Sequence, residues 1–122
     1  MATYKISSEK AAVTGVQATL LRVGFADPAQ NDQIVRDAVA RLAELVKAGT
    51  CGDACEPADE AFVPMSGTLV LINGAASLPV ACAICHGVSH RFETVAVFDP
   101  KLGKYVVAVS HGATYKPGDL IS

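Results

Sequence analysis

The side chains best suited to chemistry lie between residues 90 and 111. In "HRFETVAVFDPKLG" a histidine, His90, precedes a short apolar run, and nine positions later a carboxylate, Asp99, follows it. The next run ends in Ser110 and His111. An imidazole near its reference pKa can act as acid or base at neutral pH. Asp99 before Pro100 also fits an Asx-type turn at a strand end. Taken together, His90, Asp99 and His111 are expected to form a cluster of imidazoles and a carboxylate at one edge of a sheet.

Three further motifs carry possible chemistry. "NGAAS" (Asn73, Gly74, Ala75, Ala76, Ser77) follows a near-continuous apolar run. Small residues there let backbone approach a ligand, and the helix that follows offers free N–H groups to a phosphate. The competing reading is a tight strand-to-helix turn capped by Ser77. "CAICH" (82 to 86) has the spacing of covalent haem attachment but falls inside an apolar helix. Cys51, Cys55, Cys82 and Cys85 have separations that could close a zinc tetrahedron, whereas Cys82 and Cys85 also read as small core hydrophobes. His86 and His90, four apart, share a helix face and can bind a divalent metal, or one of them can satisfy helix C-terminal carbonyls. The acids Asp53, Glu56, Asp59 and Glu60 read as a solvated run. The sequence contains no Walker pattern and no recognisable Ser/His/Asp arrangement.

These residues need elements to hold them. The chain has 122 residues, 51% of them hydrophobic, and a net charge of -2. That fits one domain, 1–122, with a real core, and excludes a long basic groove for extended DNA or RNA. The N-terminus shows no signal-peptide pattern and no stretch is apolar enough to span a bilayer, so a cytoplasmic protein is expected. Residues 16 to 25 read as a first strand, 30 to 46 as a one-faced helix stopped by Gly49, and 48 to 65 as a surface loop. Residues 67 to 74 read as a strand buried on both faces, and Pro79 fits the first turn of a helix ending near Ser89. Strands at 93 to 98 and 104 to 110 flank the "DPKLG" turn, and the tail reads as irregular. Such alternation predicts an α/β domain with a mostly parallel sheet, an antiparallel edge strand, and ligands beyond the carboxyl ends of the strands.

"GTLVLINGAAS", "HRFETVAVFDPKLGKYVVAVSH" and "PGDLI" resemble the third family of CRISPR-associated ring nucleases, small Rossmann-like proteins of type III CRISPR systems. The likeness covers about residues 16 to 121, and its most specific part runs from His90 to His111. It implies a manganese-dependent phosphodiesterase that binds and cleaves cyclic tetra-adenylate, with short linear oligoadenylate RNA as another ligand, acting as a homodimer that stacks head to tail. It places catalysis on His90, Asp99 and Lys101, metal binding on Asp99 and His90, and ligand contacts on Asn73, Gly74, Ala75, Ala76, Ser77, Ser110 and His111. Two features depart from the family pattern. Lys101 stands where an arginine is familiar and cannot make a planar bidentate contact with phosphate. The cysteine-bearing loop looks like an insertion. The alternatives are a non-catalytic cyclic oligoadenylate sensor and a zinc-binding protein that uses the cysteines. His90 and Asp99 either face each other across stacked subunits or meet in one chain through a bent loop at 90 to 92.

Overall fold

The structure is a computed structural model and describes residues 2–49 and 62–122. A hairpin opens the fold. Strand β1 (Tyr4–Val13) pairs antiparallel with β2 (Val16–Phe25). The two residues between them, Thr14 and Gly15, both have positive φ, the backbone twist that suits a two-residue hairpin. Helix α1 (Asn31–Ala48) leads to β3 (Gly67–Gly74), and helix α2 (Leu78–Ser89) to β4 (Phe92–Asp99). The chain then turns into β5 (Lys104–Ser110) and ends in the short β6 (Leu120–Ile121).

The sheet corrects the sequence-based expectation of a mostly parallel, Rossmann-like fold. Its six strands lie in chain order, β1-β2-β3-β4-β5-β6. Only β2–β3 and β3–β4 pair parallel; β1–β2, β4–β5 and β5–β6 pair antiparallel. The physical reason is the direction of winding. Both crossovers step the same way across the sheet, and crossovers are right-handed, so both helices land on one face. A doubly wound sheet reverses direction and places helices on both faces around a switch point. Here the order never reverses.

Burial follows from this layering. Under the helices, Ile34, Ala38 and Leu42 of α1 and Val80, Ile84 and Val88 of α2 pack on Tyr4, Ile6, Leu21, Val70, Ile72 and Val95. The opposite face carries a second cluster, including Leu20, Leu69, Leu71, Ala96 and Val107, to which no described helix contributes. Strand β3 supplies both clusters, which explains its run of buried Leu69, Val70, Leu71 and Ile72.

β1 was not foreseen because its apolar residues are sparse. Tyr4 and Ile6 alternate inward, and "SSEKAA" then interrupts the pattern. Long-range contacts hold the strand in place. The Thr3 amide and hydroxyl donate to Asp37 Oδ2 at 3.0 and 2.7 Å, and those bonds lower the Asp37 pKa from its ordinary value. Arg41 donates to the Ile6 carbonyl oxygen at 3.0 Å. The Tyr4 hydroxyl crosses the sheet to donate to the Ala75 carbonyl oxygen at 2.6 Å. Desolvation pushes the Tyr4 pKa up to about 12.

Two outcomes are expected. Tyr4 is held protonated in the folded chain, so its contribution to stability is complete below the ordinary tyrosine pKa of 10.0 and is lost as pH rises from there towards 12. Spectrophotometric titration of the phenols should therefore show a late phase that Tyr4→Phe abolishes, while urea unfolding at pH 7 loses about 1 kcal/mol for the unpartnered Ala75 carbonyl. Gly74 has a φ of 139°, and an added Cβ would overlap the Val23 carbonyl oxygen. Gly74→Ala should accordingly cost about 1–3 kcal/mol in the same unfolding measurement.

Candidate functional site

The sequence-predicted residues fall at two opposite ends of the sheet. At the carboxyl end of the parallel strands, β3 delivers Asn73 and Gly74, and Ala75 to Ser77 lead into α2. β4 delivers Asp99 to the same end, where the tight turn into β5 carries Lys101. Asp99 shapes that turn. Its Oδ1 accepts from the backbone N–H groups of Lys101 at 2.8 Å and Leu102 at 3.4 Å, and its carbonyl accepts from Gly103 at 2.8 Å. Oδ2 has no hydrogen-bond partner among the described residues. Beside the turn is an open cleft of about 650 Å³, lined by Val97, Phe98, Asp99, Pro100, Lys101 and Val106.

The helices add positive ends at this edge. Each follows a parallel strand, so α1 and α2 both begin here. Neither N-cap, Gln30 or Ser77, makes a side-chain capping bond. The expected Ser77 cap is absent because its hydroxyl donates instead to Asn31 Oδ1 at 2.9 Å, tying the first residue of α1 to the entry of α2. Two helix starts with unmatched N–H groups therefore stand together, an arrangement that favours an anion. Gly74 has a structural use of its own: its missing side chain makes room for the Val23 backbone.

At the amino end of β4 the residues are different. His90 is the exposed C-cap of α2, and Arg91 leads into β4. His111 follows β5. With Ser89, Phe92 and Glu93, these three line a shallow cleft of about 420 Å³. His111 donates its backbone N–H to the Glu93 carbonyl at 2.8 Å, and its Nε2 lies 2.9 Å from the Ser89 carbonyl oxygen. The imidazole that meets the helix C-terminal carbonyl is thus His111, just after β5, and not a member of the His86–His90 pair. Ser110 closes the following loop, donating to the carbonyls of Tyr115 at 2.7 Å and Gly112 at 3.3 Å.

His90 and His111 therefore share one edge, whereas Asp99 and Lys101 share the other. The single cluster expected from the sequence does not form within one chain. β4 has eight residues, and at about 3.3 Å per residue the two edges stand more than about 20 Å apart. No loop bends residues 90 to 92 back: Phe92 already begins the strand, paired with Gly67. Among the described residues, no group of three or more His, Cys, Asp and Glu side chains could hold a metal ion.

The cysteines divide as well. Cys51 and Cys55 lie outside the described residues. Cys82 is exposed, and Cys85 packs half-buried against the helix-side core. Burial, and then the neighbouring Cys82, push the Cys85 thiol pKa up, which disfavours the thiolate that binds zinc or haem chemistry needs.

Sequence reasoning missed Arg91 and Tyr105. Arg91 stands beside His90 without an ion-pair partner among the described residues, and the adjacent "HR" was its available signal. The Tyr105 hydroxyl receives a bond from Asn73 Nδ2 at 3.2 Å, and its ring meets Phe98 edge-on with centroids 5.3 Å apart. That contact crosses from β3 to β5 and leaves no local pattern.

Among the described residues, no helix is long and apolar enough to cross a membrane. A search of curated proteins returns no match. The family model described as CRISPR-associated protein (Cas_csx3) matches residues 62–122, which takes in β3, α2, β4, β5 and β6 together with both candidate edges and leaves out β1, β2 and α1. With half of its length matched, the chain belongs to the CRISPR-associated Cas_csx3 family.

Proposed function

We propose that the chain is a ring nuclease that binds cyclic tetra-adenylate and cleaves it, ending a type III CRISPR antiviral signal. The observation that carries this reading is the division of candidate residues between opposite ends of β4. In a head-to-tail stack, the carboxyl edge of one subunit meets the amino edge of the next. Asp99, Lys101 and the 73–77 segment then face His90, Ser110 and His111 of the neighbouring copy. A flat, highly charged ring held between them would meet a different set of groups on each side.

The chemistry divides accordingly. The two uncapped helix starts and Lys101 attract phosphate at the carboxyl edge. Arg91 offers a planar guanidinium to phosphate at the amino edge. His90 is exposed and its ring makes no hydrogen bond to a described residue, so it is free to take or give a proton at the scissile bond. Ser110 serves the site by holding the loop behind His111.

Manganese fits this arrangement in one way. A single chain has no three-donor group among the described residues, whereas Asp99 Oδ2 from one copy and an imidazole nitrogen of His90 from the next are uncommitted donors. Bound there, the ion would offset charge on the phosphodiester and lower the pKa of a bound water.

Complementation between two inactive variants tests the reading. His90→Ala and Asp99→Ala should each fail to degrade cyclic tetra-adenylate in the presence of manganese, as followed by chromatography. An equimolar mixture should recover activity, because about one interface in four then joins an intact His90 edge to an intact Asp99 edge. Binding without turnover by the unaltered chain would identify a sensor. Turnover by the unaltered chain that the mixture cannot recover would place the site within one subunit.

A further inference from the structure

His86 has no part in the reading above, yet its ring meets that of His90. The two rings meet edge to face, with centroids 5.3 Å apart and planes at 90°. We propose that His86 and His90 form a bidentate site at the C-terminal end of α2 for a borderline-soft divalent transition metal of the zinc and nickel class.

Geometry supplies the first reason. Residues four apart on a helix project from one face a single turn apart. Metal–nitrogen bonds of about 2.0–2.1 Å place two ligating imidazole rings with centroids about 5 Å apart, so the observed spacing needs only small side-chain rotations. Availability supplies the second. Both side chains are exposed, and neither ring has a hydrogen bond to a described residue. His111 is engaged with the Ser89 carbonyl. Chelation at the pair would therefore break no bond within the described fold, and solvent is at hand to complete the coordination.

Donor type sets the metal class. Two neutral imidazoles favour copper, nickel and zinc over manganese, the ion of the weakest affinity in the divalent series. The surroundings temper affinity: Lys47 and Arg91 line the α1–α2 groove with His86. Cys82, one turn before His86, is exposed on the same stripe, but among the described residues no three-donor group forms. The site does not rest on the nuclease reading. If that reading holds, zinc held here withdraws His90 from the ring, and that consequence alone depends on it.

The test uses metal alone, without nucleotide. The full chain with Cys51→Ser and Cys55→Ser, kept reduced, is titrated calorimetrically with nickel and with zinc. One ion per chain is expected, with affinity falling about tenfold or more in His86→Ala, His86→Gln and His90→Ala, because each removes the intramolecular second ligand. Cys82→Ser should bind as the parent does, and circular dichroism checks that every variant is folded. Absence of binding, a histidine variant that binds as tightly as the parent, or loss confined to Cys82→Ser would each overturn the site.

Discussion

The handed crossover governs most of this molecule. Two βαβ units share β3, and both step in the same direction, so right-handedness puts α1 and α2 on one face and starts both at one edge. From that constraint follow the two-layer core, the paired helix N-termini beside the 73–77 segment, and the placement of the α2 C-terminus at the opposite edge. β4 then acts as a spacer. It is central, paired on both sides and buried over half of its length, so the distance between its ends cannot be shortened without breaking the sheet.

A rigid spacer changes what the candidate residues can do. In one chain the edge with Asp99 and Lys101 attracts anions but lacks an imidazole, while the edge with His90, Arg91 and His111 carries the imidazoles and the Glu93 carboxylate but is remote from the Asp99 turn. In the proposed nuclease each edge is a half-site, and stacking copies of the chain joins the halves, because translation along the strand direction brings one edge onto the other without any internal movement. The chain belongs to a CRISPR-associated family, and its net charge of -2 is unsuited to long nucleic acid.

Several residues prove to be structural where chemistry was the alternative. Gly74 yields space to Val23, Ser110 closes a loop, and Asp99 Oδ1 shapes its turn. These uses do not exclude a ligand. A turn held by one carboxylate oxygen presents the other in a fixed direction, and a loop tied by Ser110 fixes the backbone behind His111. Preorganisation of this sort is how a small domain orders a site without a large cavity.

Local pattern was enough to read the central elements. The one-faced periodicity of α1, the apolar run of β3, Pro79 in the first turn of α2 and the valine-rich strands on either side of "DPKLG" were all legible, because burial and turn chemistry act on neighbours in sequence. β1 escaped because two inward residues and a polar stretch form no periodic signal, and its position is secured by Asp37, Arg41 and Ala75 far along the chain. Strand direction also escaped: alternation of strands and helices does not say whether the hairpins at both ends add antiparallel partners. The sequence by itself therefore determined which residues are candidates for chemistry and which central segments hold them. Only the tertiary structure decided that His90 and Asp99 lie at opposite ends of one rigid strand, since the distance between two residues depends on the conformation of the backbone joining them.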